Sequence, residues 1–171
     1  MITIRPEKPE DYQRIFEINK KAFKGEAEAR LVGKLRNTKG FIPGFSLVAV
    51  KDGKVVGHIL FSIIRIKTDT ESIPVLSLAP MAVLPEYQKQ GIGSRLVREG
   101  LKKCQESGYK AIILVGHHDF YPRFGFSQAS RKGLKLPFDV PGEAFMMYEI
   151  VPQALKGISG EVEYPPEFTE E

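Results

Sequence analysis

Residues 75–115 read VLSLAPMAVLPEYQKQGIGSRLVREGLKKCQESGYKAIILV, and this stretch decides the fold. The apolar run from Pro74 to Val83 has the length and composition of a buried strand. After a polar loop, Ile92, Leu96, Val97, Leu101 and Cys104 recur at helical spacing, which predicts an amphipathic helix over Gly91 to Glu106. Gly108 ends it, as glycine does where the chain must leave a helix through the left-handed region. Lys110 to Val115 is then a continuous apolar run of strand length, the pattern of a strand buried on both faces beside a parallel partner. A strand, a glycine loop, a helix and a second strand form a β–loop–α–β unit.

The loop in the middle, Gln88-Lys89-Gln90-Gly91-Ile92-Gly93-Ser94, carries the chemistry. Gly91 and Gly93 let a backbone approach a ligand closely and take torsions closed to other residues. The loop feeds a helix N-terminus, whose free N–H groups and dipole favour an anion. Gln88, Lys89, Gln90 and Ser94 add donors, and together these features suit a pyrophosphate. The loop lacks the Gly-Lys-Ser/Thr string of a P-loop. Leu96 stands where a dinucleotide fingerprint needs its third glycine. A strand-to-helix turn with no ligand is the alternative.

Working outward, Ile2 to Arg5 reads as a strand, and Pro9 suits a first helical turn. Tyr12, Ile15, Phe16, Asn19 and Phe23 mark an amphipathic helix. A second helix is expected from Glu26 to Arg36, with Leu31, Val32 and Leu35 inward. Phe41 to Phe45, with Pro43 and Gly44, reads as a loop. Phe45 to Val50 and Lys54 to Ile66 are strands joined at Asp52-Gly53, a strong hairpin signal. Thr68 to Ser72 is a turn, a short helix follows the Lys110–Val115 strand, and Phe145 to Val151 is a late strand. The fold class is α/β, an α+β sandwich: a mixed, mostly antiparallel central sheet of about six or seven strands with helices on both faces. One domain is expected over 1–171, its core at roughly 45–151, with a C-terminal tail over 152–171 that is loosely held after Tyr164.

Composition narrows the function. The chain has 171 residues, 42% of them hydrophobic, which is enough for a sizeable core. A formal charge of +4 is spread among alternating acids and bases, with no basic helix face. That balance fits a few phosphates on a small ligand and argues against nucleic acid as a partner. No run is apolar and long enough to cross a bilayer, and Met1 to Arg5 does not read as a signal segment. A single cysteine, Cys104, offers no internal disulfide, so cytoplasmic residence without membrane association is the default. Cys104 lies on the apolar helix face and reads as a small core residue. The adjacent His117 and His118 point apart and lack a third ligand, so no metal site is expected.

Two blocks give the chain a resemblance to the GNAT superfamily of N-acetyltransferases. Gln88, Gly91 and Gly93 match its Gln/Arg-x-x-Gly-x-Gly/Ala signature, and Met81 to Tyr87 resembles the family's approach to that loop. Tyr121-Pro122-Arg123-Phe124-Gly125-Phe126 resembles its Tyr-x-x-x-Gly-Phe. The close resemblance covers Leu76 to Phe126, and element order extends it over most of the chain. It implies a GNAT-like acyl-CoA N-acyltransferase fold that uses acetyl-CoA, without a metal, to acetylate an amine of a small molecule or protein.

It also implies that the sheet splays after the fourth strand. Met81, Ala82 and Val83 would hold the pantetheine arm, a backbone N–H there would polarise the thioester, and Gln88 to Ser94 would grip the pyrophosphate. Tyr121 would be the general acid, its alternative being a packed core tyrosine.

The chain departs from the family where many members carry a strand-five Glu and, just after it, an Asn. Lys110 to Val115 holds no acid, and Gly116-His117-His118 follows. His117 is a candidate for the Asn contact, and either histidine for taking the amine's proton; capping of the next turn with Asp119 is the alternative. Glu26 and Glu28 either attract the amine or simply solvate a helix start. A non-catalytic acyl-CoA-binding module remains the competing function, and a homodimer is left open.

Overall fold

The computed structural model describes residues 1–169. Ile2–Pro6 (β1) leads into a helical turn at Pro9–Asp11 and the helix Tyr12–Phe23 (α1), then Ala27–Arg36 (α2). Phe41–Lys51 (β2), Lys54–Lys67 (β3) and Ser72–Val83 (β4) follow as long strands. Ile92–Gln105 (α3) and Ala111–Val115 (β5) complete the unit read from the sequence. The remainder holds Ser127–Gln128 (β6), Leu134–Lys135 (β7), Phe145–Glu149 (β8) and Gly160–Glu163 (β9).

The nine strands form one sheet in the order β1-β2-β3-β4-β5-β8-β6, with β9 on β3 and β7 beside β9. The expected six or seven strands are thus too few. β6 and β7 have two residues each, too short for any periodic signal, and β9 lies in the segment expected to be a tail. β2 pairs with β3 only as far as Ser62, and β9 takes over that edge at Arg65, Ile66 and Lys67. The pairs β4–β5 and β7–β9 are parallel and the others antiparallel. Between β2 and β3, Asp52 (φ 51°) and Gly53 (φ 78°) both lie in the left-handed region, as a tight hairpin turn requires.

Phe41 to Phe45 is not a loop: it opens β2. Phe41 pairs with Ser62, and the register then slips before Ser46 pairs with Leu60. Pro43 has no N–H to give the ladder, and the slip is where the strand absorbs it. The tail is also better anchored than its composition suggests. The Tyr164 ring lies 5.8 Å from Phe138 and 4.9 Å from Phe168, and Phe168 packs on the core beneath α2. Residues 170–171 of that expected tail lie outside the described residues.

The helices cover both faces. Ile15, Val32 and Leu35 of α1 and α2 pack on Val48 and Leu60. Leu47, Ala49, Val56 and Phe61 cluster with Ile92, Leu96, Val97 and Leu101 of α3. Small residues set how closely α3 sits. A Cβ on Gly57 would meet Leu96 at 3.0 Å and Ile92 at 3.3 Å, and one on Gly100 would stand inside the fully buried ring of Phe61. Helix propensity alone predicts that Gly100→Ala stabilises α3 by about 1 kcal/mol. Overpacking costs about 1–3 kcal/mol, and Phe61 has nowhere to go. The expected result is therefore a lower melting temperature, and an unchanged or raised one would refute this packing account.

Candidate functional site

β4 and β5 meet only at Leu76–Ile112 and Ser77–Ile113. From Leu78 onward β4 keeps β3 and parts from β5, whose other edge follows β8. A bulge explains the parting: Ala79 and Pro80 stand against one residue, Leu60, between the pairs Phe61–Leu78 and Ile59–Met81. A bulge bends its strand, and Pro80 offers the ladder no N–H. The separated edges enclose a cleft of about 1040 Å³.

The backbone of β4 offers donors to this cleft. The N–H of Leu84 bonds to the Val56 carbonyl at 2.9 Å. Antiparallel alternation then turns the Ala82 N–H toward β3 and those of Met81 and Val83 toward the cleft. At the near end sits the N-terminus of α3. Its first helical bond runs from the Arg95 N–H to the Gly91 carbonyl at 3.1 Å. The N–H groups of Ile92, Gly93 and Ser94 are left without a helical acceptor, and all three residues line the cleft.

Of the two loop glycines, only Gly91 needs its special torsion, with φ +84° and open space where a Cβ would stand. Gly93 is an ordinary helical residue beside Met81 and Phe120. Lys89 takes a positive φ of 63° and lines the cleft. Gln88 braces the turn, its Nε2 donating to the Val83 carbonyl at 2.9 Å. Gln90 does not line the cleft: its Oε1 accepts from Lys51 Nζ at 2.9 Å, and its Nε2 donates to the Glu86 carbonyl at 3.4 Å.

Tyr121 sits on the facing wall in the turn Tyr121–Phe124 after β5, only 7% exposed. Its ring packs edge-on to Phe120 at 5.0 Å and Phe126 at 5.7 Å. Gly116 makes room for it, since a Cβ there would lie 3.2 Å from the ring. The hydroxyl has no hydrogen-bond partner among the described residues, yet it is not sealed from solvent. Burial pushes its pKa up to about 12, so the phenol holds its proton at neutral pH.

His117 is exposed and lines the cleft, whereas His118 does not. The turn is capped by the backbone of His117, whose carbonyl accepts from the N–H groups of Phe120 and Tyr121. Its imidazole is not used for this. Glu26 is engaged by Lys20 at 3.4 Å and Arg30 at 2.6 Å, so it does not serve the cleft. Glu28 does line the cleft, and it has no ion pair or hydrogen bond among the described residues. Cys104 is fully buried, and burial pushes its thiol up to about 12, as suits an inert core residue.

Ala22, Phe23, Leu31 and Phe168 also line the cleft; Phe23 and Leu31 lie in the stretch Phe23 to Phe45, which in sequence is a candidate for the acceptor pocket, whereas Ala22 and Phe168 carry no such reading. The parting of the strands was signalled locally by a proline inside an apolar strand pattern.

The opened sheet beside the α3 N-terminus thus places backbone donors on one wall of the cleft and a protonated phenol on the other. The acetyltransferase (GNAT) domain family matches residues 3–129, and the chain belongs to it. It is 38% identical over 149 residues to YjhQ of Escherichia coli K12, an uncharacterized N-acetyltransferase, covering 85% of this chain and 82% of that one. It is 36% identical over 166 residues to the uncharacterized N-acetyltransferase YhbS of the same organism, covering 96% and 97%. The crystal structure of E. coli YhbS in complex with CoA superposes with a TM-score of 0.90 at 34% identity, covering 99% of this chain and 92% of that one. A GNAT family acetyltransferase from Brucella melitensis in complex with acetyl-CoA gives 0.79 at 31% identity, with 98% of each chain covered. No helix among the described residues is long and apolar enough to cross a membrane.

Proposed function

We propose that the protein transfers the acetyl group of acetyl-CoA directly to an amine. The observation that carries this reading is that the residues bearing the free N–H groups of α3, the splayed part of β4 and Tyr121 all line one cleft. Ile92, Gly93 and Ser94, with Lys89 beside them, fit a pyrophosphate, and Met81 and Val83 fit the amide-bearing arm behind it. Acetyl-CoA supplies a thioester, whose carbonyl is open to attack by an amine. A β4 N–H aimed at that carbonyl oxygen stabilises its developing charge, a contribution on the order of 3 kcal/mol. The Tyr121 hydroxyl holds the proton needed by the departing sulfur. His117, exposed at the cleft, accepts the proton released by the amine, directly or through water.

Gly91→Val tests the cradle, with Gly108→Val as its control. Both glycines have φ +84° and open space around a Cβ, so the backbone strain is matched, but only Gly91 lines the cleft. Millimolar acetyl-CoA is expected to raise the melting temperature of the parent and of Gly108→Val by mass action, and to leave Gly91→Val almost unmoved. No shift in the parent would defeat the reading. Coenzyme A release with a panel of amines then separates an enzyme from a module that only binds acyl-CoA.

A further inference from the structure

A second cavity, of about 170 Å³, opens beside the main cleft and shares Leu78, Ala79, Val115 and Phe168 with it. Phe138 and Tyr164 complete its apolar wall, next to the hydroxyl-bearing Ser77 and Thr169. Its size is that of a single ring: an apolar cavity near 150 Å³ takes up benzene. Large apolar residues are seldom left exposed in a cluster without a use. Six are exposed among the described residues, and three of them stand at these two cavities: Phe23 (40%), Val115 (39%) and Phe138 (45%).

Charge marks the same end of the cleft. Glu28, on α2, is half-buried, lines the cleft together with Phe168, and lacks a partner among the described residues. A carboxylate so placed is complementary to a cation. Asp119, the other cleft carboxylate, lies in the turn beside Phe120 and Gly93, at the α3 end, with Lys89 and Arg123 also on the cleft. Positive groups therefore gather where phosphates would lie, and an unpaired negative one stands at the apolar end.

We infer that the acceptor is a small primary amine on an apolar, ring-sized body, its ammonium drawn to Glu28 and its body held by Phe168, Phe138 and Val115. This rests on the amine-transfer reading above and narrows its substrate class. Glu28 is a specificity-determining residue that captures the charged amine, whose proton passes to His117 or to solvent before the free amine attacks.

Calorimetric binding of 2-phenylethylamine to the CoA-loaded protein tests the pocket without requiring turnover. Binding is expected in the parent, with Kd raised about tenfold in Glu28→Gln, the scale of one charge-assisted hydrogen bond. Phe168→Ala is expected to bind 2-phenylethylamine no better than ethylamine. In turnover with acetyl-CoA, Glu28→Gln should raise KM about tenfold for 2-phenylethylamine while kcat stays within about twofold. Failure of 2-phenylethylamine to bind, an unchanged Kd in Glu28→Gln, or a preference for peptide N-termini or glycine overturns the inference. Amine-dependent release of CoA in those cases keeps the transfer reading intact. Binding without acetylation of any amine defeats the transfer reading and leaves the pocket standing.

Discussion

Tyr121→Phe is expected to lower the rate of acetyl transfer by about 10²-fold or more, the usual contribution of a positioned proton donor. The substitution removes one hydroxyl and keeps the ring against Phe120, Phe126 and Gly116. Because that hydroxyl bonds to no described residue, folding stability should be nearly unchanged. Acetyl-CoA affinity should also hold, since proton transfer to sulfur is felt in the transition state rather than on binding. The raised pKa adds a second signature. A phenol pushed up to about 12 stays protonated well above neutrality, so no loss of rate traceable to Tyr121 should appear below about pH 10. Full activity in Tyr121→Phe, measured where chemistry limits turnover, would reduce this tyrosine to a packing residue. Loss of stability without loss of rate would do the same.

The parts of the fold that were legible in sequence are those whose physics is local. The Asp52-Gly53 hairpin announces itself because its two residues must both take positive φ. The β4–α3–β5 unit does so because its helical stripe and two apolar runs follow from burial period alone. What escaped depends on partners distant in the chain. Phe41 to Phe45 reads as a loop because Pro43 and Gly44 are poor strand residues, and it is the pairs on either side, Phe41–Ser62 and Ser46–Leu60, that fix this stretch along β3. The strand Gly160–Glu163 has no apolar alternation, yet it fits the edge that β2 vacates on β3.

The site divides in the same way. Gly91 was readable because its torsion is a property of its own backbone. Gln90 is not legible in that way, because a donor beside a glycine loop looks alike in sequence whether it faces the cleft or, as here, Lys51 and Glu86. The residues Ala22, Phe23, Leu31 and Phe168 come to the cleft from α1, α2 and the last described turn, and no spacing rule links residues so far apart.

Between about pH 6.5 and pH 5, the free energy of unfolding is expected to fall through His58, with a slope that grows from about 0.7 kcal/mol per pH unit at pH 6.5 to about 1.4 near pH 5. This residue was passed over in sequence because one histidine in an apolar strand carries no pattern. In the structure it is fully buried, and its pKa is lowered from 6.5 to about 3, chiefly by burial and then by Arg36. Its hydrogen bonds specify the neutral form. Ser46 Oγ donates to Glu7, so His58 Nε2 must donate to Ser46 at 2.9 Å, while Nδ1 accepts from Asn19 Nδ2 at 3.4 Å. Glu7, 3.9 Å away, offers little to an imidazolium, because Arg36 already holds both its oxygens at 2.9 and 3.0 Å.

The sign follows from proton counting. Below pH 6.5 the unfolded chain takes up a proton at this histidine and the folded chain does not, so stability declines as pH falls. Asp11, also depressed, by its hydrogen bond to Arg5, acts only near and below the ordinary 3.8, outside this window. Denaturant unfolding of the parent and His58→Gln across pH 7.5 to 5 reads the difference in slope. The imidazole resonance of His58 gives a direct check in the intact protein. A titration midpoint near 6.5 would sink the account, and silence down to pH 5 is the expected result. The network joins α1, α2, β2 and β3, and the same two helices carry Phe23, Glu28 and Leu31 to the cleft.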